Sequence, residues 1–205
     1  MKRLAILGAS GHGKVLADLA EVVGWAEVVF FDDAWPKVAQ NGRWPVIGNS
    51  QSLLDQLNCY AGVVVAIGNN QTRAEKLHWL VEKGAPLVSL IHPSAVISRY
   101  ASLGVGCVIM AGVVVNADTK IADGVILNTG CSVDHDCEID ACSHISPGAR
   151  LAGGVRLGAQ SWIGIGACVK QLIRIGQQVV VGAGAAVTDD LPDGITAAGV
   201  PARQI

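Results

Sequence analysis

The feature that most constrains the fold is an aliphatic residue that recurs every six positions from residue 91 onward. The seventeen residues in this column are all Ile, Leu or Val: Ile91, Ile97, Leu103, Ile109, Val115, Ile121, Leu127, Val133, Ile139, Ile145, Leu151, Leu157, Ile163, Val169, Ile175, Val181 and Val187. A second column, four residues after each of these, holds mostly small side chains and runs from Ala95 to Leu191. An uninterrupted six-residue repeat of this kind indicates a β-helix, in which three short strands make one triangular coil and aliphatic side chains fill the interior.

The first 90 residues follow a different pattern, in which apolar strands alternate with helices. Apolar runs predict strands, and i, i+3, i+4 spacing predicts helices. The predicted strands cover residues 4–8, 27–33 and 62–70, and the predicted helices cover 12–23, 50–57 and 72–83. We therefore expect an α/β Rossmann-like domain over residues 1–90 and an all-β parallel β-helix over 91–205.

Composition and charge exclude several classes of protein. The chain is 51% hydrophobic but only 4% aromatic, so its apolar content is aliphatic and typical of tight packing. A net charge of −2 offers no broad basic surface for nucleic acid. The longest apolar run, Cys107 to Val115, is too short to insert into a membrane. The N-terminal sequence does not resemble a signal peptide, which predicts a cytoplasmic protein with reduced cysteines.

The segment CSVDHDCEIDACSHI, residues 131–145, concentrates the reactive side chains. Cys131 and Cys137 fall in the small-residue column, so we expect them to point inward, and they occupy different walls. A metal site needs at least three converging ligands, which this arrangement does not favour. A nucleophilic Cys142 near His144 remains an alternative at this stage.

His135 falls outside both core columns and is therefore expected at the surface. Asp134 and Asp136 flank it, and a carboxylate beside an imidazole orients the ring and stabilises its protonated form. This pattern favours a general base. His144 ends its hexapeptide and is expected at a corner. The alternative is that both histidines are ordinary solvated side chains.

A glycine-rich turn, Gly8 to Gly13, follows the first predicted strand and opens a helix. Such a turn lets backbone amides approach a phosphate. Its spacing differs from the G-x-G-x-x-G of redox dinucleotide sites, and Asp32 and Asp33 follow about twenty residues later, where an acid meets a ribose in Rossmann-like folds. The turn could equally be a structural cap. Gly68 and Asn69 could form a second contact loop or a simple strand-to-helix turn.

Taken together, these motifs resemble a known family. The hexapeptide array, the His135–Asp136 pair and the C-terminal GVPARQI resemble left-handed β-helix acyltransferases. GASGHGK, FDD and IGNNQTR narrow the resemblance to the sugar acyltransferase group that includes sialic acid O-acetyltransferases. Within this group the chain is most similar to bacterial nucleotide-sugar N-acetyltransferases that act on UDP-4-amino-4,6-dideoxy sugars in protein glycosylation.

The resemblance implies roles for individual residues. His135 would be the general base and Asp136 would orient it, although related enzymes often carry Glu at this position. Asn128 matches a polar residue near the family's catalytic histidine, and His144 would bond the acetyl carbonyl or the thioester. The remaining implied contacts are Gly153, Ile165 and Ala183 along the acetyl-CoA groove, Pro201 and Arg203 near adenosine, and Ser10, Gly11, His12, Asp32, Asp33, Gly68 and Asn69 around the nucleotide sugar.

The function expected from this resemblance is direct transfer of acetyl from acetyl-CoA to a sugar amine, without a metal, in a homotrimer with active sites between subunits. One alternative is O-acetylation of sialic acid or another sugar hydroxyl. A third is a non-catalytic scaffold that binds sugar nucleotides.

Overall fold

The computed structural model describes residues 2–205. These form two compact units, one ending at Pro93 and one spanning Ser94–Ile205, so the division falls close to the change in sequence pattern. Within the described residues no helix is both long and apolar enough to cross a membrane.

The first unit is a mainly parallel sheet with helices. Its strands are β1 (Arg3–Leu7), β2 (Glu27–Phe31), β3 (Gln40–Asn41), β4 (Trp44–Gly48), β5 (Gly62–Val65) and the short β6 (Leu90–Ile91). Its helices are α1 (Gly11–Val22), α2 (Ser50–Asp55) and α3 (Asn70–Glu82), with a 3-10 turn at Leu57–Cys59. Each predicted strand and helix is present, with ends shifted by a few residues. The β3–β4 hairpin was not predicted, because Pro45 interrupts its apolar run and argues against a strand.

The strand order of this sheet creates a crevice at one edge. The order is β3-β4-β2-β1-β5, with β1 parallel to both β2 and β5. The chain leaves β1 for β2 on one side and later returns to β5 on the other. Ligands of open α/β sheets bind outside the carboxyl ends of the strands at such a switch point.

The second unit is a three-walled parallel β-helix. The first wall is β7 (Val96–Ile97), β10 (Val114–Val115), β13 (Ser132–Val133), β16 (Arg150–Leu151), β19 (Cys168–Val169) and β22 (Ala186–Val187). The second wall is β8 (Ser102–Leu103), β11 (Lys120–Ile121), β14 (Glu138–Ile139), β17 (Arg156–Leu157) and β20 (Arg174–Ile175). The third wall runs through β9 (Val108–Ile109), β12 (Ile126–Leu127), β15 (His144–Ile145), β18 (Trp162–Ile163), β21 (Val180–Val181), β23 (Thr196–Ala198) and β24 (Arg203–Gln204).

Both sequence columns form the interior of this β-helix. The aliphatic column is buried from Ile109 to Val187, and the small column is buried from Cys107 to Ala185. Polar members of the small column donate to a carbonyl fifteen residues later: Thr119 Oγ1 to Asp134 O at 2.7 Å, Ser143 Oγ to Gly158 O at 2.9 Å and Ser161 Oγ to Gly176 O at 2.7 Å. These bonds explain why hydroxyl side chains are tolerated inside an apolar core.

The repeat departs from its sequence frame at its C-terminal end. Ile91, the first aliphatic position, is exposed but keeps the frame, since β6 belongs to the same sheet as the third wall. Leu191, expected in the small column, instead pairs with Ile175, and Ala197 pairs with Val181. The last coil is therefore two residues shorter than the eighteen-residue coils before it.

Candidate active site

The corner that carries His135 lies between β13 and β14, at residues 134–137, and is called the His135 corner below. The imidazole side chain is 62% exposed, as the sequence predicted. Its Nδ1 lies 2.7 Å from Oδ2 of Asp136. Asp136 has a φ of 59°, a left-handed conformation that Asp tolerates better than most residues. This turn brings the carboxylate against the ring of the preceding residue.

Asp134, the other flanking acid, holds the backbone of this corner. Its Oδ1 accepts the His135 backbone N–H at 2.8 Å and the Asn116 side-chain amide at 2.7 Å. The His135 backbone bond and the Asn116 bond together lower the pKa of Asp134. The two acids therefore differ in role, since Asp134 fixes the main chain and Asp136 contacts the imidazole.

The charge environment makes His135 a stronger base. The hydrogen bond with Asp136 is the largest influence and raises the pKa of His135 above its usual value, and the nearby charges of both acids act in the same direction. With the carboxylate as acceptor, Nδ1 carries the proton and Nε2 presents its lone pair outward. The pair is arranged to take a proton at Nε2.

Gly153 lies directly against the imidazole, one coil further along the chain. A Cβ added at this glycine would lie 2.5 Å from Cε1 and 2.6 Å from Nε2 of His135. The missing side chain therefore keeps the Nε2 edge of the ring clear. Sequence reasoning assigned Gly153 to the acetyl-CoA groove and did not connect it with His135, although the eighteen-residue coil period relates the two positions.

Asn128 and His144 occupy a different part of the β-helix. Asn128 lies at the corner between β12 and β13, residues 128–131, which we call the Asn128 corner. Its Nδ2 is 3.1 Å from Nε2 of His144. His144 lies within β15 and is buried, and its ring stacks on Trp162 with centroids 5.2 Å apart. The expectation that His144 lies at a corner is wrong, because the residue begins a strand and stacks on the next coil of its wall; the alternative of a solvated side chain does not hold either, since the residue is buried.

Within one chain, the predicted catalytic residues Asn128 and His135 lie at two different corners of the β-helix. One hexapeptide connects the Asn128 corner with the His135 corner, a path of up to about 20 Å at roughly 3.3 Å per residue. Ile165 and Ala183 lie in two successive turns of the same column as the Asn128 corner, further toward the C-terminus. Gly153 lies instead next to His135. Within one copy, Asn128 and His135 therefore lie at successive corners of the same coil.

The C-terminal residues expected near adenosine lie in the last coil. Pro201 precedes β24, and Arg203 within β24 pairs with Asp189, with Nη1 and Oδ2 3.1 Å apart. Both Pro201 and Arg203 are exposed, and neither has a contact that assigns it a ligand.

The crevice of the first unit contains a pocket of about 280 Å³ at the switch point of its sheet. The ends of β1, β2 and β5 contribute Gly8 to Ser10, Asp32 to Asp33 and Ala66 to Gly68. The pocket therefore collects Ser10, Asp32, Asp33 and Gly68 as predicted. Gly11 and His12 begin α1 beside it, and Asn69 caps α3 by accepting the Thr72 N–H at 2.9 Å.

The two acids of this pocket are already engaged by protein groups. Asp32 accepts the backbone N–H of Ala9 at 2.7 Å and of Ala34 at 2.8 Å. Asp33 accepts the Ser50 N–H at 2.9 Å and pairs with Lys76 Nζ at 2.7 Å. Burial opposes ionisation of Asp33, but the bonds from Lys76 and Ser50 lower its pKa to about 2. These contacts fix the loops on either side of the pocket.

Two basic residues of α3 shape this site and were missed in the sequence. Arg73 is 1% exposed and donates to the carbonyls of Ile67 and Gly68 at 3.0 and 3.2 Å. Burial, with a smaller contribution from the Arg73 charge, lowers the pKa of His12 to about 4, so this imidazole is neutral at pH 7. Arg73 ends the IGNNQTR motif, which supported the resemblance without giving Arg73 a role, and Lys76 lies inside the helix with no motif around it.

Four of the five cysteines of the β-helix are buried, and the fifth, Cys168, is exposed. Cys107, Cys131 and Cys137 are fully buried, as the column predicted, and Cys142 is buried as well. Burial raises the pKa of Cys107 to about 11 and of Cys131 to about 12, so these thiols stay protonated at neutral pH. Among residues 2–205, no cluster of His, Cys, Asp and Glu side chains is arranged to hold a metal ion.

Comparison with known proteins gives matches to both units. Residues 3–80 match the family described as the PglD N-terminal domain. The UDP-N-acetylbacillosamine N-acetyltransferase of Bacillus subtilis (strain 168) is 37% identical over 113 residues, which cover 54% of this chain and 52% of that protein. The chain thus spans about half the length of this curated relative.

Two solved structures match over nearly their whole length. The acetyltransferase domain of PglB from Neisseria gonorrhoeae FA1090, in complex with acetyl coenzyme A, is 44% identical, with a TM-score of 0.92 and coverage of 100% of this chain and 99% of that one. PerB from Caulobacter crescentus, in complex with CoA and GDP-perosamine, is 38% identical, with a TM-score of 0.95 and coverage of 100% and 98%.

Proposed function

The chain belongs to the left-handed β-helix sugar N-acetyltransferases that carry a PglD N-terminal domain, and from this we propose that it acetylates the 4-amino group of a UDP-4-amino-4,6-dideoxy sugar with acetyl-CoA. The observation that carries the proposal is the His135–Asp136 pair, with Nδ1 bonded to the carboxylate at 2.7 Å and Nε2 left open beside Gly153.

The chemistry requires one base and no covalent enzyme intermediate. A thioester is already activated, so the sugar amine attacks the acetyl carbonyl directly while His135 Nε2 takes a proton from the nitrogen. The C–N bond forms first and leaves a tetrahedral oxyanion, whose collapse breaks the C–S bond; the CoA thiolate leaves and takes up the proton from the imidazolium. Asp136 stabilises the imidazolium that forms in between. Backbone N–H groups at the turns are suited to the transient oxyanion.

The nucleotide part of the acceptor fits the pocket of the first unit. The N-terminus of α1 follows the Gly8–Ser10 turn, and the amides of its first turn have no intrahelical partner, which favours a phosphate. Gly13 keeps this turn close to the sheet, because a Cβ there would lie 2.5 Å from the Gly8 carbonyl. Asp32, Asp33, Gly68 and Asn69 border the same pocket or its loop and remain our candidates for the ribose and base. The Bacillus relative is named for a UDP-linked sugar, whereas PerB is bound to a GDP-linked one. The nucleobase of the acceptor, uracil or guanine, therefore has to be tested.

The separation of the two corners supports a site shared between copies of the chain. His135 and Gly153 lie at one corner, whereas Asn128, Ile165 and Ala183 lie at another. We assign the first corner to proton transfer and the second, with His144, to acetyl-CoA, and we propose a homotrimer in which neighbouring β-helices bring unlike corners together.

The test is thiol release from acetyl-CoA with UDP- and GDP-linked 4-amino-4,6-dideoxy sugars and with free sialic acid, followed by mass analysis. We expect turnover with the UDP-amino sugar and a product that carries acetate as an amide. His135→Gln should abolish turnover, a loss of about 10²–10⁴-fold for a missing general base. His78→Gln is the matched control, because His78 is also exposed and paired with an acid, Glu82, at 3.3 Å.

The other outcomes would change the assignment. Turnover only with the GDP-linked sugar would support N-acetylation but would change the assigned nucleotide from UDP to GDP. Turnover only with sialic acid, giving an ester, would replace N-acetylation by O-acetylation. Binding of these ligands without release of thiol would favour a scaffold.

A further inference from the structure

Two arginines on the outer face of the second wall lie side by side without full charge compensation. Arg156 on β17 and Arg174 on β20 are paired in register, and both are exposed. Like charges directly opposite on neighbouring strands are unfavourable. Arg156 forms one long ion pair, with its Nε 3.5 Å from Oε2 of Glu138, and Glu138 is shared with Lys120 at the same distance. The Arg174 guanidinium has no side-chain partner in the part of the chain that the structure describes.

Both arginines line a pocket that reaches the His135 corner. This pocket, of about 320 Å³, is bordered by Asp136, Gly154, Arg156, Leu172 and Arg174. Asp136 is the residue that bonds His135, so the pocket begins where the proton transfer is proposed. Leu172 is 75% exposed and adds an apolar surface beside the two cations. A ligand with an apolar arm and an anionic group would match this combination.

The position of the arginines along the β-helix indicates which ligand this is. Coils stack about 4.8 Å apart, so Arg156 lies one coil and Arg174 two coils, about 10 Å, beyond the level of His135 toward the C-terminus. Ile165, Ala183 and Arg203, our acetyl-CoA candidates, occupy these same C-terminal coils and the coils that follow. The phosphates of the nucleotide sugar belong instead to the pocket of the first unit.

We propose that Arg156 and Arg174 form a binding site for the phosphate groups of acetyl-CoA, with its pantetheine arm running past Leu172 toward His135. This inference rests on the proposed function. A guanidinium donates a planar pair of N–H groups that match phosphate oxygens, which distinguishes this pair from the lysine on the same wall.

Calorimetric titration with CoA alone tests the site without an acceptor. Arg174→Gln should weaken CoA binding about tenfold, and the double variant with Arg156→Gln should weaken it further, since charged hydrogen bonds are worth about this much each. Lys120→Gln is the matched control, because it removes the same charge from the same wall on the other side of the His135 level, and it should leave CoA affinity unchanged. The difference in CoA affinity between wild type and the arginine variants should become smaller at high salt.

Donor analogues show whether the arginines act on phosphate. With S-acetylpantetheine, which has no phosphate, wild type and Arg174→Gln should have equal kcat/KM. With acetylated dephospho-CoA the penalty persists if the diphosphate is bound and disappears if the 3′-phosphate is bound; either result supports the proposal.

Three results would overturn it. CoA affinity could be unchanged in the double variant, or the penalty could be the same with S-acetylpantetheine, or only the KM for the nucleotide sugar could rise. Failure of wild type to bind CoA would instead overturn the proposed function together with this inference. Wild-type acetyl transfer with unaffected arginine variants would overturn this inference alone.

Discussion

At the scale of the residue, the site depends on which atoms of His135 are occupied. Its Nδ1 is held by Asp136 at 2.7 Å, and Gly153 leaves the Nε2 edge open. The sequence predicted the exposure of His135 and its acidic neighbours, because the residue falls outside both core columns and between two acids; its role as the base is our proposal. The different roles of Asp134 and Asp136 did not follow, since they depend on the positive φ of Asp136 and on Asn116 from the preceding coil.

Asp136→Asn is expected to move the acid limb of the pH profile of kcat/KM to lower pH. The Asp136 bond raises the pKa of His135, and the base is active only when neutral, so activity rises as pH passes upward through that pKa. Removing the carboxylate charge lowers the pKa of His135, so the neutral imidazole becomes populated at lower pH. The maximal rate should fall by roughly 10²-fold as base strength and ring orientation are lost.

Asparagine tolerates the left-handed conformation of Asp136, so the corner should keep its shape. An acid limb that stays in place while kcat drops would show that Asp136 does not set the basicity of His135.

At the scale of the element, three corners receive a hydrogen bond from a hydroxyl side chain of the coil before them. Thr119 donates to the carbonyl of Asp134 from inside the core, directly beneath the His135 corner. The sequence predicted the walls and their inward columns because a strict repeat leaves no other periodicity for the chain to follow. It did not predict the fifteen-residue hydrogen bonds, the shortened last coil or the β3–β4 hairpin, which depend on turn geometry and on strand partners distant in sequence.

Thr119→Val should lower the free energy of unfolding by about 1–3 kcal/mol, because it keeps the volume of the side chain and leaves the buried Asp134 carbonyl without its donor. Thr119→Ser retains the hydroxyl and is the control, with the smaller cost of one lost methyl group. Denaturant unfolding of the two variants compares them directly. Equal stability of the valine variant and wild type would mean that the hydroxyl bond contributes nothing to this corner.

At the scale of the whole molecule, we propose separate tasks for the two units. The pocket of the first unit would hold the nucleotide, and the β-helix would carry the base at one corner and the donor residues at another. The sequence pattern predicted both kinds of unit, and the members of both sites remain predictions. The sequence could not predict how Asn128 and His135 are combined, because a list of positions along a repeat does not show which corners face each other in an assembly.

The most direct test of a shared active site is to mix two inactive variants and measure thiol release from acetyl-CoA. His135→Gln removes the base, and Ile165→Glu puts a bulky charge on the exposed Ile165 of the Asn128 corner. Each should be inactive alone. After unfolding and refolding together at equal amounts, about one quarter of the sites in a cyclic assembly should combine an intact His135 with an intact Ile165.

Light scattering first establishes that each variant and the mixture form the same assembly. Recovery of about one quarter of wild-type activity is the result this account predicts. No recovery, in mixtures that do form assemblies containing both variants, would show that base and donor residues act within one copy and would contradict the account at its centre.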